Sequence, residues 1–159
     1  MITNILIFLW LALILVILSL LVRNRLNKTT EYPFQDSEKT DMPYISLDIQ
    51  GHKFNMITDS AAAVSVIKRD AVKLLNYEPS PRKVSLTALT NDGVENEVII
   101  LPININGKEI KTDFVIYEGS DMADFSRKHG VVIHGILGVE FFRKTKGKVD
   151  FKTQSVVFP

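Results

Sequence analysis

The stretch Phe54-Asn55-Met56-Ile57-Thr58-Asp59-Ser60-Ala61-Ala62-Ala63 runs an apolar strand into one carboxylate, then into side chains too small to shield it. A carboxylate so placed is open to a substrate backbone laid across it. An isolated aspartate after a strand is ordinarily a cap or turn residue. Far downstream, Ile136-Leu137-Gly138 sets two bulky apolar residues before a glycine at a strand-to-helix junction.

Competing chemistries are thinly supported. Ser60 and Ser65 could suggest a serine nucleophile, but the chain lacks a Gly-x-Ser-x-Gly elbow and no histidine is tied to either serine. His52, His129 and His134 lack metal-ligand spacing, so no metal is expected. Asp48, Asp113 and Asp150 lie in or at the ends of strand patterns with no small-residue loop after them, and read as solvent-facing strand residues.

Taken in order, Asp59-Ser60-Ala61-Ala62, then Ser65-Val66-Ile67, then Ile136-Leu137-Gly138 and a short helix from Val139 resemble the retropepsin-like aspartic proteases. The resemblance covers Met42 to Pro159 and includes a hairpin where that family has its flap. It implies a small all-β, closed-barrel domain with short helices, before which the sequence sets one transmembrane helix. It also implies peptide-bond hydrolysis without a cofactor, on a peptide or protein substrate.

Asp59 would then be half of a carboxylate dyad completed by a second copy of the chain, because the domain holds one such motif. Two carboxylates that close cannot both ionise cheaply, so one stays protonated while the other activates water. Ser60 would brace the pair through its hydroxyl, and Ile136 and Leu137 would pack beneath the aspartate loop. Asn91-Asp92-Gly93 would be the flap tip. The family has glycine where this chain has Ala61, whose Cβ excludes some backbone conformations. A catalytically inactive, peptide-binding or dimerising retropepsin-like module is the alternative reading.

The elements that would position these residues are mostly strands. Tyr44–Ile49 and His52–Ile57 flank Gln50-Gly51 as a hairpin. Val84–Thr90 and Glu97–Ile105 flank Asn91-Asp92-Gly93 as a second, and Asn106-Gly107 leads into a strand over Glu109–Tyr117. Lys68–Asn76 reads as a short helix ended by Glu78-Pro79-Ser80-Pro81. Val131–Leu137 reads as an apolar strand, Gly138–Phe142 as the opening of a helix, and Lys148–Phe151 with Ser155–Phe158 as a closing hairpin. Many short strands suit a small barrel or sandwich.

Residues 1–22 are set apart by Ile5–Val22, which carries no charge. As a helix this run spans roughly 27 Å, close to a bilayer's hydrocarbon thickness. It lacks the basic start and small-residue cleavage site of a signal peptide, so an uncleaved single-pass anchor is expected. Arg23, Arg25 and Lys28 follow it, which keeps the C-terminal domain in the cytoplasm. Residues 23–41 read as a flexible polar linker, and residues 42–159 as one domain. A net charge of +1 gives no electrostatic case for nucleic acid.

Overall fold

The computed structural model describes residues 2–26, 29–35, 42–86 and 95–159, without the side chains of residues 2–9 and 23–26. The chain is mostly β. Helix α1 (Ile2–Leu26) and strand β1 (Thr30–Pro33) come first. They are followed by β2 (Tyr44–Ile49), β3 (His52–Thr58), β4 (Val66–Lys68), α2 (Arg69–Val72), β5 (Glu78–Ser85), β6 (Glu95–Ile105) and β7 (Lys108–Tyr117). The chain closes with α3 (Asp121–His129), β8 (Gly135–Leu137), α4 (Val139–Thr145), β9 (Lys148–Asp150) and β10 (Ser155–Phe158).

Seven strands form one sheet in the order β2-β3-β8-β4-β7-β6-β5, and β1-β10-β9 form a second. Two hairpins owe their register to their turns. Gln50 and Gly51 have φ of 55° and 82°, and Asn106 and Gly107 have 57° and 76°. Paired left-handed residues give a twist that matches the flanking strands. Asp48 adds a side-chain cap, its Oδ1 accepting the Gly51 N–H at 2.9 Å.

Alternate residues of β2, β3, β6 and β7 face inward. Ile45, Leu47, Phe54, Met56, Leu101 and Phe114 build the larger of two buried clusters, with Phe141 and Phe158. The smaller cluster, around Tyr44, Val66, Val98, Val115 and Ile133, lies on the other side of the sheet. A buried Phe contributes about 1.5–3 kcal/mol, so Phe114, Phe141 and Phe158, whose rings meet at 6.0–6.4 Å, anchor helix α4 firmly.

The sheet departs from a closed barrel: among the described residues β2 and β5 remain its two hydrogen-bonding edges. Thr30–Pro33, expected to be linker, is instead a strand antiparallel to β10, with Thr30 opposite Phe158 and Pro33 opposite Ser155. Tyr32 packs edge-on against Phe158 at 5.4 Å, which offsets the cost of ordering a polar segment. The helix expected over Lys68–Asn76 is confined to Arg69–Val72. Lys68 belongs to β4, which pairs with β7 and β8, and after Val72 the chain continues in tighter turns, the Leu74 N–H donating to the Ala71 carbonyl and the Leu75 N–H to that of Val72. Of the apolar run Val131–Leu137 only Gly135–Leu137 is strand.

Helix α1 is 25 residues long. From Trp10 to Val22 every side chain is exposed, on all sides of the helix. Among the described residues no helix is long and apolar enough to cross a membrane. The expected span over Ile5–Val22 lies only partly within the residues whose side chains are described.

Candidate functional site

Strands β3 and β8 run parallel, with Met56, Ile57 and Thr58 opposite Gly135, Ile136 and Leu137. The ladder continues one step further, the Asp59 N–H donating to the Leu137 carbonyl at 3.0 Å. Asp59 therefore emerges where the two sequence motifs end side by side. Its Oδ1 accepts the Ala61 N–H at 2.8 Å, which turns the chain away from the strand direction. Thr58 is tied down from the other side, its N–H and hydroxyl both donating to the Pro43 carbonyl.

The loop from Asp59 to Ser65 rests on the start of α4. The Val139 N–H donates to the Ala62 carbonyl at 2.8 Å and the Glu140 N–H to Ala63 at 3.2 Å. These would otherwise be unsatisfied donors of a helix N-terminus. The Gly138 N–H donates to Ser65 Oγ at 3.0 Å in a buried contact. Gly138 is needed for space: a Cβ there would stand 2.3 Å from the Val64 carbonyl oxygen and 2.7 Å from that of Ala62.

Above this loop lies a groove of about 460 Å³. Ala61, Ala62, Ala63 and Val64 of the aspartate loop line it, together with Val84, Ser85 and Leu86 at the end of β5 and Ile136 of β8. Asp59 is the acidic side chain in this lining, which is apolar apart from Asp59 and Ser85, and it is partly exposed. Strand β5 carries Val84 to the groove, and the Ser85–Glu95 pairing closes the described part of its hairpin with β6. The expected flap tip, Asn91-Asp92-Gly93, lies outside the described residues. The sequence reading missed Val84 and Leu86 as groove lining, although their alternation in the strand pattern put both on one face.

Leu137 is fully buried, whereas Ile136 is partly exposed and lines the groove. Ser60 is exposed at the head of the loop. Ala61 is also exposed, and it is not among the non-glycine residues with positive φ. Its backbone conformation is one that any L-residue adopts.

The other polar candidates are structural. Ser65 is 1% exposed, with its hydroxyl engaged by Gly138, so it is closed to a substrate. Asp150 Oδ1 accepts the N–H groups of Lys152 and Thr153 in the β9–β10 turn. Asp113 is not simply solvent-facing: it lies 3.7 Å from Arg82, whose guanidinium also makes a two-pronged contact with Glu140 at 2.9 and 3.1 Å. These charges line a separate recess of about 400 Å³ on which Asp59 does not open.

His134 is half-buried and accepts the Asn55 N–H at Nδ1, 3.0 Å away. Burial, and then the nearby Lys68 charge, hold its pKa below the ordinary histidine value. Tyr117 donates to Asp121 at 2.8 Å, and its pKa is pushed up to about 12, first by burial and then by that carboxylate. Among the described residues no group of three or more potential ligands could hold a metal ion.

No family model matches the sequence, and none of the curated proteins matches it either. Solved structures do. A retropepsin-like aspartic protease from Rickettsia conorii superposes with a TM-score of 0.51 at 16% identity, over 82% of this chain and 88% of that one. The retroviral protease-like domain of Ddi1 from Leishmania major gives 0.47 at 16% identity, over 74% of this chain and 87% of that one. The first of these establishes the fold: the β-domain is retropepsin-like.

Proposed function

We propose that this chain is a membrane-anchored aspartic endopeptidase, with Asp59 of each copy forming a dyad across a homodimer. The observation that carries the reading is the position of Asp59. It is the acidic residue in the described lining of a groove of about 460 Å³ that is apolar apart from Asp59 and Ser85. One carboxylate per groove is half of what the chemistry needs, so a second copy supplies the other.

In that pair one carboxylate is protonated and the other is not. The charged member takes a proton from a water as its oxygen attacks the peptide carbonyl carbon. The neutral member gives its proton to the carbonyl oxygen. The resulting diol then collapses, and the leaving amine takes a proton back. Neither metal nor cofactor enters these steps. Ser60 and Ala61 shape the loop, and the segment that holds Asn91-Asp92-Gly93 covers the substrate.

The run Ile5–Val22 and the exposed apolar side chains of Trp10–Val22 support the anchor, since water solvates such a helix poorly. Arg23, Arg25 and Lys28 support a cytoplasmic domain. Two anchors in one bilayer raise the effective concentration of the copies.

Ala61, where glycine is usual in this family, favours a second reading: a module that binds peptides without cutting. Incubating the full chain in detergent with a mixed peptide library, with and without a statin-type transition-state analogue, separates the two. Inhibitor-sensitive cleavage supports the enzyme. Retention of peptides with no cleavage supports the module.

A further inference from the structure

Three lysines that the proposed site does not use share one end of the β-domain. Strand β1 starts there, with Thr30 opposite Phe158, and Lys148 of β9 lies opposite Val157. Asn106 Nδ2 donates to the carbonyls of Phe158 and Pro159 at 3.1 and 3.0 Å, which brings the β6–β7 turn and Lys108 to the same end. Gly147 lies against the Phe158 ring, where a Cβ would stand 2.5 Å from the nearest carbon, so Lys146 and Lys148 flank that contact.

Lys108, Lys146 and Lys148 are exposed, and among the described residues none of them enters an ion pair. Two acids lie near this end: Glu31, opposite Val157 as Lys148 is, has its carboxylate on the Ser155 hydroxyl at 2.6 Å, and Glu109 follows Lys108 on β7, so three lysines face two acids.

Only residues 27–29 separate the end of α1 at Leu26 from Thr30. Even fully extended, that link reaches no more than about 14 Å. The sequence places Arg23 and Arg25 near the end of α1 and Lys28 in the link that follows. We infer that this lysine-bearing end of the three-stranded sheet rests on the anionic headgroups of the bilayer that α1 enters, an inference that rests on the anchor reading above. Each lysine brought to an anionic surface shifts the balance toward docking roughly fivefold, so three shift it on the order of a hundredfold at low salt. A domain tied so closely cannot move many ångströms away, and its basic end is the part that follows the anchor.

The chain has no cysteine, so one introduced by Asn104→Cys, exposed near this end, takes a single dye. Energy transfer from that dye to a headgroup acceptor is measured for the full chain in vesicles of phosphatidylcholine, with and without phosphatidylglycerol. Transfer should rise with the anionic lipid, fall back in high salt, and not rise in the triple variant Lys108→Gln, Lys146→Gln, Lys148→Gln. A control triple variant at Lys53, Lys83 and Lys152 should keep the rise. Equal transfer in both lipids overturns docking, as does a rise that survives in the first variant or vanishes equally in the control. Release of the chain by alkaline carbonate overturns the anchor and the docking with it, whereas retention with flat transfer overturns docking alone.

Discussion

The Gly138 N–H and Ser65 Oγ, 73 residues apart in the chain, meet in a buried hydrogen bond of 3.0 Å beneath the Asp59 loop. This bond joins the two sequence motifs directly. The missing Cβ of Gly138 lets the loop backbone approach, and the serine then satisfies the donor that this approach buries.

Ser65→Ala leaves the Gly138 N–H buried without its acceptor. A loss of about 1–3 kcal/mol in unfolding free energy follows. Urea denaturation should show the midpoint falling with an unchanged slope. Ser65→Thr, which keeps the hydroxyl, should recover part of the loss.

Strand β1 makes the domain begin earlier than its composition suggests. A chain shortened to residues 42–159 lacks Tyr32 and Phe34, both packed on the main core. It should be less stable than residues 29–159 by about 2–5 kcal/mol, at roughly 1.5–3 per aromatic side chain and less where burial is partial. Thermal melting of the two fragments checks this.

Much of the frame was legible because its signals are local. Gln50-Gly51 and Asn106-Gly107 mark turns by residue type, and the alternation on either side fixes the strands. Asp59 and Ile136-Leu137-Gly138 stood out as patterns, and the structure sets them side by side. The rest depended on partners distant in sequence. Thr30–Pro33 is polar and short, and becomes a strand only through residues more than 120 positions away. Glu78–Ser85 contains Pro79 and Pro81, which read as helix stops, yet an edge strand tolerates both. Helix α3 did carry readable signals: acids at Asp121 and Asp124, bases at Arg127 and Lys128, and Gly130 in the left-handed region as its cap.

His134 makes stability depend on pH. Its folded-state pKa lies below the ordinary value near 6.5, so between the two the unfolded chain binds a proton that the folded chain does not. Its contribution is complete above about pH 6.5 and is lost as pH falls through the depressed value. Chemical denaturation at a series of pH values from 8 to 5 should show this decline. His134→Asn, whose side-chain oxygen can still accept the Asn55 N–H, should flatten the curve in that window.

Ala61 lines the groove and carries no backbone strain. It sits in a conformation open to any L-residue, so Ala61→Gly relieves nothing in the backbone. The change should cost about 0.4–1 kcal/mol through unfolded-state entropy. Cleavage per folded molecule should be no faster than in the parent. A large gain would mean that the alanine methyl crowds the peptide or the partner loop.

The most direct test of the proposed dyad is the rate of peptide cleavage by Asp59→Asn beside the parent, at equal concentrations of folded protein. Asparagine keeps the oxygen that accepts the Ala61 N–H but can neither carry the charge nor share the proton. Cleavage should disappear while melting temperature and dimer content stay nearly unchanged, and Asp48→Asn and Asp150→Asn should cleave like the parent. An Asp59→Asn chain that cuts at the parent's rate would contradict the account at its centre.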